Sequence, residues 1–420
     1  MPYEIKDLNL APSGRQKIAW AAANMPVLGS IGAEFARTRP LSGLRIAVSV
    51  HVEAKTAWLA KTLAMGGAEV SLTGCNPLST QDDVAAALAE EGMAVYCIHG
   101  ADSNTYTRNL RQALSIKPHL VIDDGGDFAH LLHTTEKHLT KDLIGGSEET
   151  TTGVKRLRIL EKEGKLLYPS IAVNDARCKH LFDNRYGTGQ SVWTAIMSLT
   201  NLVVAGKAVV VNGFGMCGKG VAQRAAGLGA RVVVTEIDPV KACEALMEGY
   251  DVMSMDEAAS VGDLFCTVTG CRDVITDAHF PKMKDGAILC NAGHFDVEIN
   301  LKQLAAGSKS IEVVRPNIQA YEQQDGRKIH ILAEGRLVNL AGGDGHPAEI
   351  MDMSFALQAM SVLYLAQHGR DLKPGVYTLP SEIDDKVASL LLDHKQRSID
   401  KLTPDQAYYL ENWDLEMIEN

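Results

Sequence analysis

Between residues 44 and 171, short continuous apolar runs alternate with stretches in which apolar residues recur every third or fourth position. Residues 44–50, 68–73, 94–98 and 120–122 are runs of the first kind, while 54–65 has helical spacing. Continuous apolar runs between helix patterns mark strands covered on both faces, so this half reads as a parallel sheet with helical crossovers. A second unit begins near Gln190. There 208–211 is a strand run, a glycine turn follows, a helix pattern reaches Leu228, and 231–235 is the next strand, together one βαβ unit. After Gly345 the pattern becomes helical over 349–368, and charged helical segments follow over 381–409.

At 420 residues the chain exceeds what one hydrophobic core organises, which agrees with two large domains. With 46% hydrophobic and 22% charged residues, and no apolar run near the length of a bilayer, the expectation is a soluble globular protein without a membrane partner. Residues 1–15 mix charges with apolar positions and lack the layout of a signal peptide, so a cytoplasmic location is expected. The eight cysteines are scattered without a CxxC pair and read as reduced thiols. A net charge of −11 repels phosphate backbones, and no basic stripe offsets it, so nucleic acid is excluded as a partner. No metal-ligand spacing stands out, and no metal is expected.

The glycine turn changes the picture from architecture to chemistry. Gly213, Gly215 and Gly218 lie between a strand and a helix, where small residues let backbone N–H groups approach a pyrophosphate at the helix N-terminus. Glu236 ends the next strand, where a carboxylate accepts hydrogen bonds from ribose hydroxyls and repels the extra phosphate of NADP. The cofactor expected is NAD. Asp238 reads as a turn residue before Pro239. The turn alone would equally suit an NAD-dependent hydroxy-acid dehydrogenase.

Several segments set ionisable groups and glycines among apolar neighbours, in more places than a plain core would hold: Asp123-Asp124-Gly125-Gly126-Asp127, Glu148-Glu149-Thr150-Thr151-Thr152, Asn174-Asp175, Lys179, Asp183-Asn184, Gly293-His294-Phe295 and Gly345-His346-Pro347. A carboxylate directly after a buried strand, as Asp123 follows Ile122, points into the crevice at the carboxyl edge of the sheet. His130, His133 and His138, taken singly, read as surface or internally satisfied residues.

Together these segments, with Phe182-Asp183-Asn184-Arg185-Tyr186-Gly187, Gly293 to Ile299 and Ala333-Glu334-Gly335-Arg336-Leu337-Val338-Asn339-Leu340, closely resemble the S-adenosylhomocysteine hydrolases, from about Pro26 to Tyr409. The resemblance implies an α/β fold: a Rossmann-type NAD-binding domain over 184–345, inserted in a larger α/β substrate-binding domain of residues 1–183 and 346–385. A small helical C-terminal segment for oligomerisation, 386–420, completes it. It also implies reversible hydrolysis of S-adenosyl- or S-inosyl-L-homocysteine within the methyl cycle of one-carbon metabolism. Tightly held NAD oxidises the ribose 3′ carbon, which acidifies the 4′ C–H and lets homocysteine leave the 5′ carbon.

By motif match, Lys179 and Asp183 act at the 3′ position, the lysine being kept neutral by burial so that it accepts the hydroxyl proton. Glu149 anchors the ribose, Asp124 and His51 are acid and base near the 5′ side, and Asn174 holds lysine and cofactor in register. His294 and His346 close the cleft. Thr150, Thr151, Thr152, Asn184, Glu236, Thr269 and Asn339 match cofactor contacts. The assembly implied is a homotetramer. Two departures matter: Thr188 stands where many members have a cysteine after Tyr-Gly, and Glu416 to Asn420 stands where many have Lys-Pro-x-x-Tyr-Arg-Tyr. A non-catalytic regulatory homologue is the remaining rival, against which all the acid and base residues are present.

The segment His51-Val52-Glu53-Ala54-Lys55-Thr56 departs from the commoner His-Met-Thr-x-Glu/Gln-Thr at both base-reading positions. Hypoxanthine presents an N1–H donor and an O6 acceptor, the reverse of adenine, so Glu53 and Lys55 match hypoxanthine. The plainer expectation has Glu53 capping the next helix and Lys55 in solvent.

Overall fold

The computed structural model describes residues 3–413, which build two eight-stranded sheets. The first contains β1 (Tyr3–Glu4), β2 (Arg45–Ser49), β3 (Glu69–Thr73), β4 (Ala94–Tyr96), β5 (Leu120–Asp123), β6 (Gly145–Glu148) and β7 (Pro169–Ala172). The second contains β8 (Ala208–Asn212), β9 (Arg231–Thr235), β10 (Asp251–Val252), β11 (Leu264–Thr267), β12 (Ile288–Asn291), β13 (Ser308–Arg315), β14 (Ile318–Gln323) and β15 (Lys328–Leu332). The chain then returns to the first sheet as β16 (Gly375–Tyr377).

The first sheet runs β1-β4-β3-β2-β5-β6-β7-β16 and is parallel throughout. The second runs β10-β9-β8-β11-β12-β15-β14-β13, parallel as far as β15 and closed by an antiparallel hairpin. Both are doubly wound, with the strand order reversing beside β2 and beside β8, where ligand crevices form. Each sheet has its own apolar cores, one set around Ile46, Val48 and Phe128 and the other around Val209, Phe214 and Phe265.

Register decides what reaches each crevice. Ser49, Asp123, Glu148 and Ala172 are cross-strand partners at the carboxyl ends of β2, β5, β6 and β7. The residues after them, His51, Asp124, Glu149 and Asn174, therefore emerge from one edge. In the second sheet Asn212, Thr267 and Asn291 align in the same way, launching the glycine turn, Thr269 and His294. The helix Ala348–His368 carries the chain back to the first sheet and is buried along most of its length. Among the described residues no helix is long and apolar enough to cross a membrane, and the eight cysteines are free thiols. The departure at 416–420 lies outside the described residues.

Candidate functional site

Lys179 is the centre of the first cluster. It sits on the short helix Arg177–His180, with its ammonium 3.3 Å from Asp183 Oδ1 and 3.6 Å from Glu149 Oε1. It also donates to Asn184 Oδ1 at 2.7 Å. Asn184 in turn donates to Asn174 Oδ1, which also accepts from the Thr151 hydroxyl. Asn174 thus acts on the lysine through Asn184, one residue further away than the sequence suggested. All of Lys179, Asp183, Glu149 and Asn174 are buried.

The electrostatics correct one expectation. Burial alone would favour a neutral Lys179, but the carboxylates of Asp183 and then Glu149 outweigh it and raise its pKa, so the lysine is an ammonium. Burial likewise works against the charge of Asp183, yet Lys179 and His346 hold its carboxyl below the usual range. Glu149 is pushed up to about 8, chiefly by burial, with Lys179 pulling the other way.

The second cluster joins both sheets. His51 Nε2 and His294 Nδ1 each lie 3.6 Å from an oxygen of Asp124. Burial lowers both imidazoles to about 4 and raises Asp124. Ser79 Oγ lies 2.6 Å from the other His51 nitrogen, a contact that sequence spacing did not reveal. Gly125 explains how His294 comes so close: its φ is +101°, and a Cβ there would sit 2.2 Å from the imidazole Nε2. Arg156 stacks over Phe295 at 4.5 Å and donates to Gly125 O, tying the His294 loop to the first sheet.

His346 lies at the return crossing, Nδ1 2.9 Å from Asp183 Oδ1 and Nε2 3.3 Å from the Thr188 hydroxyl. The plainer expectation holds for Glu53 and fails for Lys55. Glu53 does cap the helix Ala54–Met65, accepting from Lys55 N and Thr56 N, and the Thr56 hydroxyl leans on it as well. Lys55, however, is buried, with Nζ 2.6 Å from Glu53 Oε2 and 2.9 Å from Asp344 O.

Several residues expected at the crevice also make hydrogen bonds that shape its loops. Asp123 accepts from Asp124 N, Phe128 N and Ala129 N and so caps the helix Asp127–His133 rather than facing the crevice. Thr150 caps Thr151–Lys162, and its hydroxyl donates to Glu148 Oε1. Thr269 is held through its N–H and hydroxyl by Glu298. Thr152 approaches Gly270, the residue after Thr269, from the other sheet.

The glycine turn fits a dinucleotide. Gly213 has φ +104°, and a Cβ on Gly218 would meet Gly213 O at 2.0 Å, so both glycines are required by the backbone itself. Gly215 differs: nothing lies within 4 Å of its would-be Cβ, leaving open space at the N-terminus of the helix Met216–Gly227 for a pyrophosphate. Glu236, just past β9, accepts from Phe214 N, which fixes its carboxylate beside the turn. Asn339 donates to Ser191 Oγ, while its buried Oδ1 has no hydrogen-bond partner and remains a free acceptor.

Comparison with known proteins agrees with this geometry. Residues 184–345 match the family described as S-adenosyl-L-homocysteine hydrolase, NAD binding domain, and residues 2–144 match S-adenosyl-L-homocysteine hydrolase. The chain is 54% identical to the adenosylhomocysteinase of Pyrococcus abyssi, covering 98% of this chain and 97% of that protein. It is also 54% identical to the S-inosyl-L-homocysteine hydrolase of Methanocaldococcus jannaschii, covering 98% and 99%. The adenosylhomocysteinase of Thermotoga maritima is 53% identical, covering 96% and 99%. The clustered acid and base groups, the turn shaped for NAD and these full-length matches together place the chain in the S-adenosyl-L-homocysteine hydrolase family.

Proposed function

We propose that the protein reversibly hydrolyses an S-nucleosyl-L-homocysteine to homocysteine and the nucleoside, with hypoxanthine preferred over adenine as the base. The carrying observation is Lys179 held between Asp183 and Glu149, next to a turn shaped for NAD. The turn Gly213 to Gly218 and Glu236 would hold NAD, whose nicotinamide would supply reversible hydride exchange with the ribose 3′ carbon. One ammonium and two carboxylates carry a net charge of −1, so the cluster has room for one proton from the 3′ hydroxyl. Glu149, titrating at about 8, takes that proton while the Lys179 ammonium stabilises the negative charge left on the 3′ oxygen.

The 3′ ketone acidifies the 4′ C–H. His51, neutral and held from behind by Ser79, accepts that proton, and Asp124, whose carboxyl burial pushes up, protonates the departing sulfur. Water then adds at the 5′ carbon, and the steps reverse. His294 and His346, one on each flank, exclude bulk water.

For the base, Lys55 supports hypoxanthine. Two of its three N–H groups face Glu53 and Asp344 O, leaving one for an O6 acceptor, while Glu53 already accepts from Lys55 N, Lys55 Nζ, Thr56 N and the Thr56 hydroxyl and so serves to hold the ammonium in place. Relatives of equal identity carry both the adenosyl and the inosyl name, so overall similarity leaves the choice of base to the residues at the pocket. The reading further expects a hinge at 183/184 and 345/346 and a cytoplasmic homotetramer. The test supplies S-inosyl- or S-adenosyl-homocysteine without added NAD. Free thiol is expected from both and faster from the inosyl compound; no thiol from either sinks the hydrolase reading.

A further inference from the structure

Helix Ala348–His368 is buried along most of its length, yet it carries Ser354 and Gln358, both with no exposed surface. Polar groups at such positions persist only when fully hydrogen-bonded. Four residues apart, they project from one face of the helix. Ser354 donates to Asp183 Oδ2 at 2.7 Å, and Gln358 Nε2 donates to Glu149 Oε2. One helical face therefore supplies one donor to each of the two carboxylates flanking Lys179.

The Gln358 amide is not free to flip. Ser147, in β6, donates its hydroxyl proton to Gln358 Oε1 at 2.7 Å, which leaves the NH2 end toward Glu149. Ser147 and Glu149 stand on the same strand end, two residues apart, so Gln358 bridges the strand back to its own catalytic carboxylate. The consequence lies on the other oxygen. Glu149 Oε1 is buried and accepts no hydrogen bond, facing Lys179 at 3.6 Å.

We propose that Gln358, oriented by Ser147, is a positioning residue that occupies Glu149 Oε2 so that Oε1 stays free and aimed at a ribose hydroxyl of the substrate. The proposal rests on the nucleosyl-homocysteine reading of the site. Neither Ser147 nor Gln358 touches substrate; both act through Glu149. Without the amide, the carboxyl would rotate, and the ribose would lose its acceptor.

The test measures binding of inosine and adenosine, and of their 2′,3′-dideoxy counterparts, to the full-length holoenzyme. Gln358→Met keeps the side-chain length and removes both polar ends. It is expected to weaken ribonucleoside binding by about tenfold or more, the effect of a hydrogen bond to a charged group. Binding of the dideoxy compounds, which lack the hydroxyls Glu149 receives, stays as in wild type and shows that the pocket is intact. Combined with Glu149→Gln, the loss should not add to that of Glu149→Gln alone. Should Gln358→Met fail to fold, Ser147→Ala, which only frees the amide, is expected to weaken ribonucleosides in the same direction. Equal weakening of ribo and dideoxy compounds, additive losses, or no loss in either variant overturns the proposal. If wild type itself does not favour the ribonucleoside over the dideoxy compound, the reading of the site fails instead.

Discussion

Replacing Lys55 by Met decides which base the pocket reads. The substitution keeps the aliphatic stem in its buried slot and removes the ammonium that lies 2.6 Å from Glu53 Oε2 and 2.9 Å from Asp344 O. If the third N–H serves O6 of hypoxanthine, one charge-assisted hydrogen bond is lost, about 1.5–3 kcal/mol or about 10- to 150-fold in kcat/KM. Adenine offers an amino group at that place, which the ammonium repels, so its kcat/KM holds or rises. The inosine-to-adenosine ratio should therefore fall at least about tenfold. Stability drops as well, because a buried Glu53 loses its cation; removing one partner of such a pair typically costs about 3–5 kcal/mol. Here the loss should lie nearer about 1–3 kcal/mol, since Glu53 keeps two backbone N–H donors at a helix N-terminus. The assay runs synthesis with homocysteine and either nucleoside at equal concentration, in wild type and variant, alongside thermal unfolding. A ratio unchanged by the substitution refutes the role given to Lys55, and a wild type that favours adenosine tenfold refutes the hypoxanthine preference.

Purified protein should release NAD on denaturation. Gly215→Ala should fold with an unchanged unfolding temperature but carry little NAD, because its Cβ enters open space; Gly218→Ala should lose stability too, its Cβ meeting Gly213 O at 2.0 Å. Full NAD content in Gly215→Ala would remove the turn from the cofactor site. The rate of NAD reduction by nucleoside should rise with pH through about 8 as Glu149 ionises. Lys179→Met removes the cation that lowers Glu149, so that limb should move to higher pH; a limb unmoved by the change contradicts the shared cluster. The same variant should lower turnover by about 10²–10⁴-fold, and retention of more than half the activity would rule out Lys179 as part of the machinery.

Local pattern was enough to reveal much of this protein. Continuous apolar runs such as Ala208 to Val211, set between helix patterns, mark strands covered on both faces, and Gly213 and Gly218 of the turn are dictated by backbone geometry that no other residue meets. Motif order likewise pointed to Lys179, Asp183, Glu149 and the histidines, because chemistry needs those residue types. What the sequence left undecided depends on distances between segments far apart in the chain. The charge on Lys179 follows from two carboxylates placed within 4 Å of it, one of them thirty residues upstream. Asp123 turned out to be a cap because a helix N-terminus lies beside it. Ser354 and Gln358 were hidden in a helix whose apolar pattern reads as plain core, and they gain meaning only where that helix passes behind Asp183 and Glu149. Pattern and backbone constraints are local and survive in one dimension, whereas ionisation and positioning arise from fields and hydrogen bonds that exist only after the two sheets and the returning helix have packed.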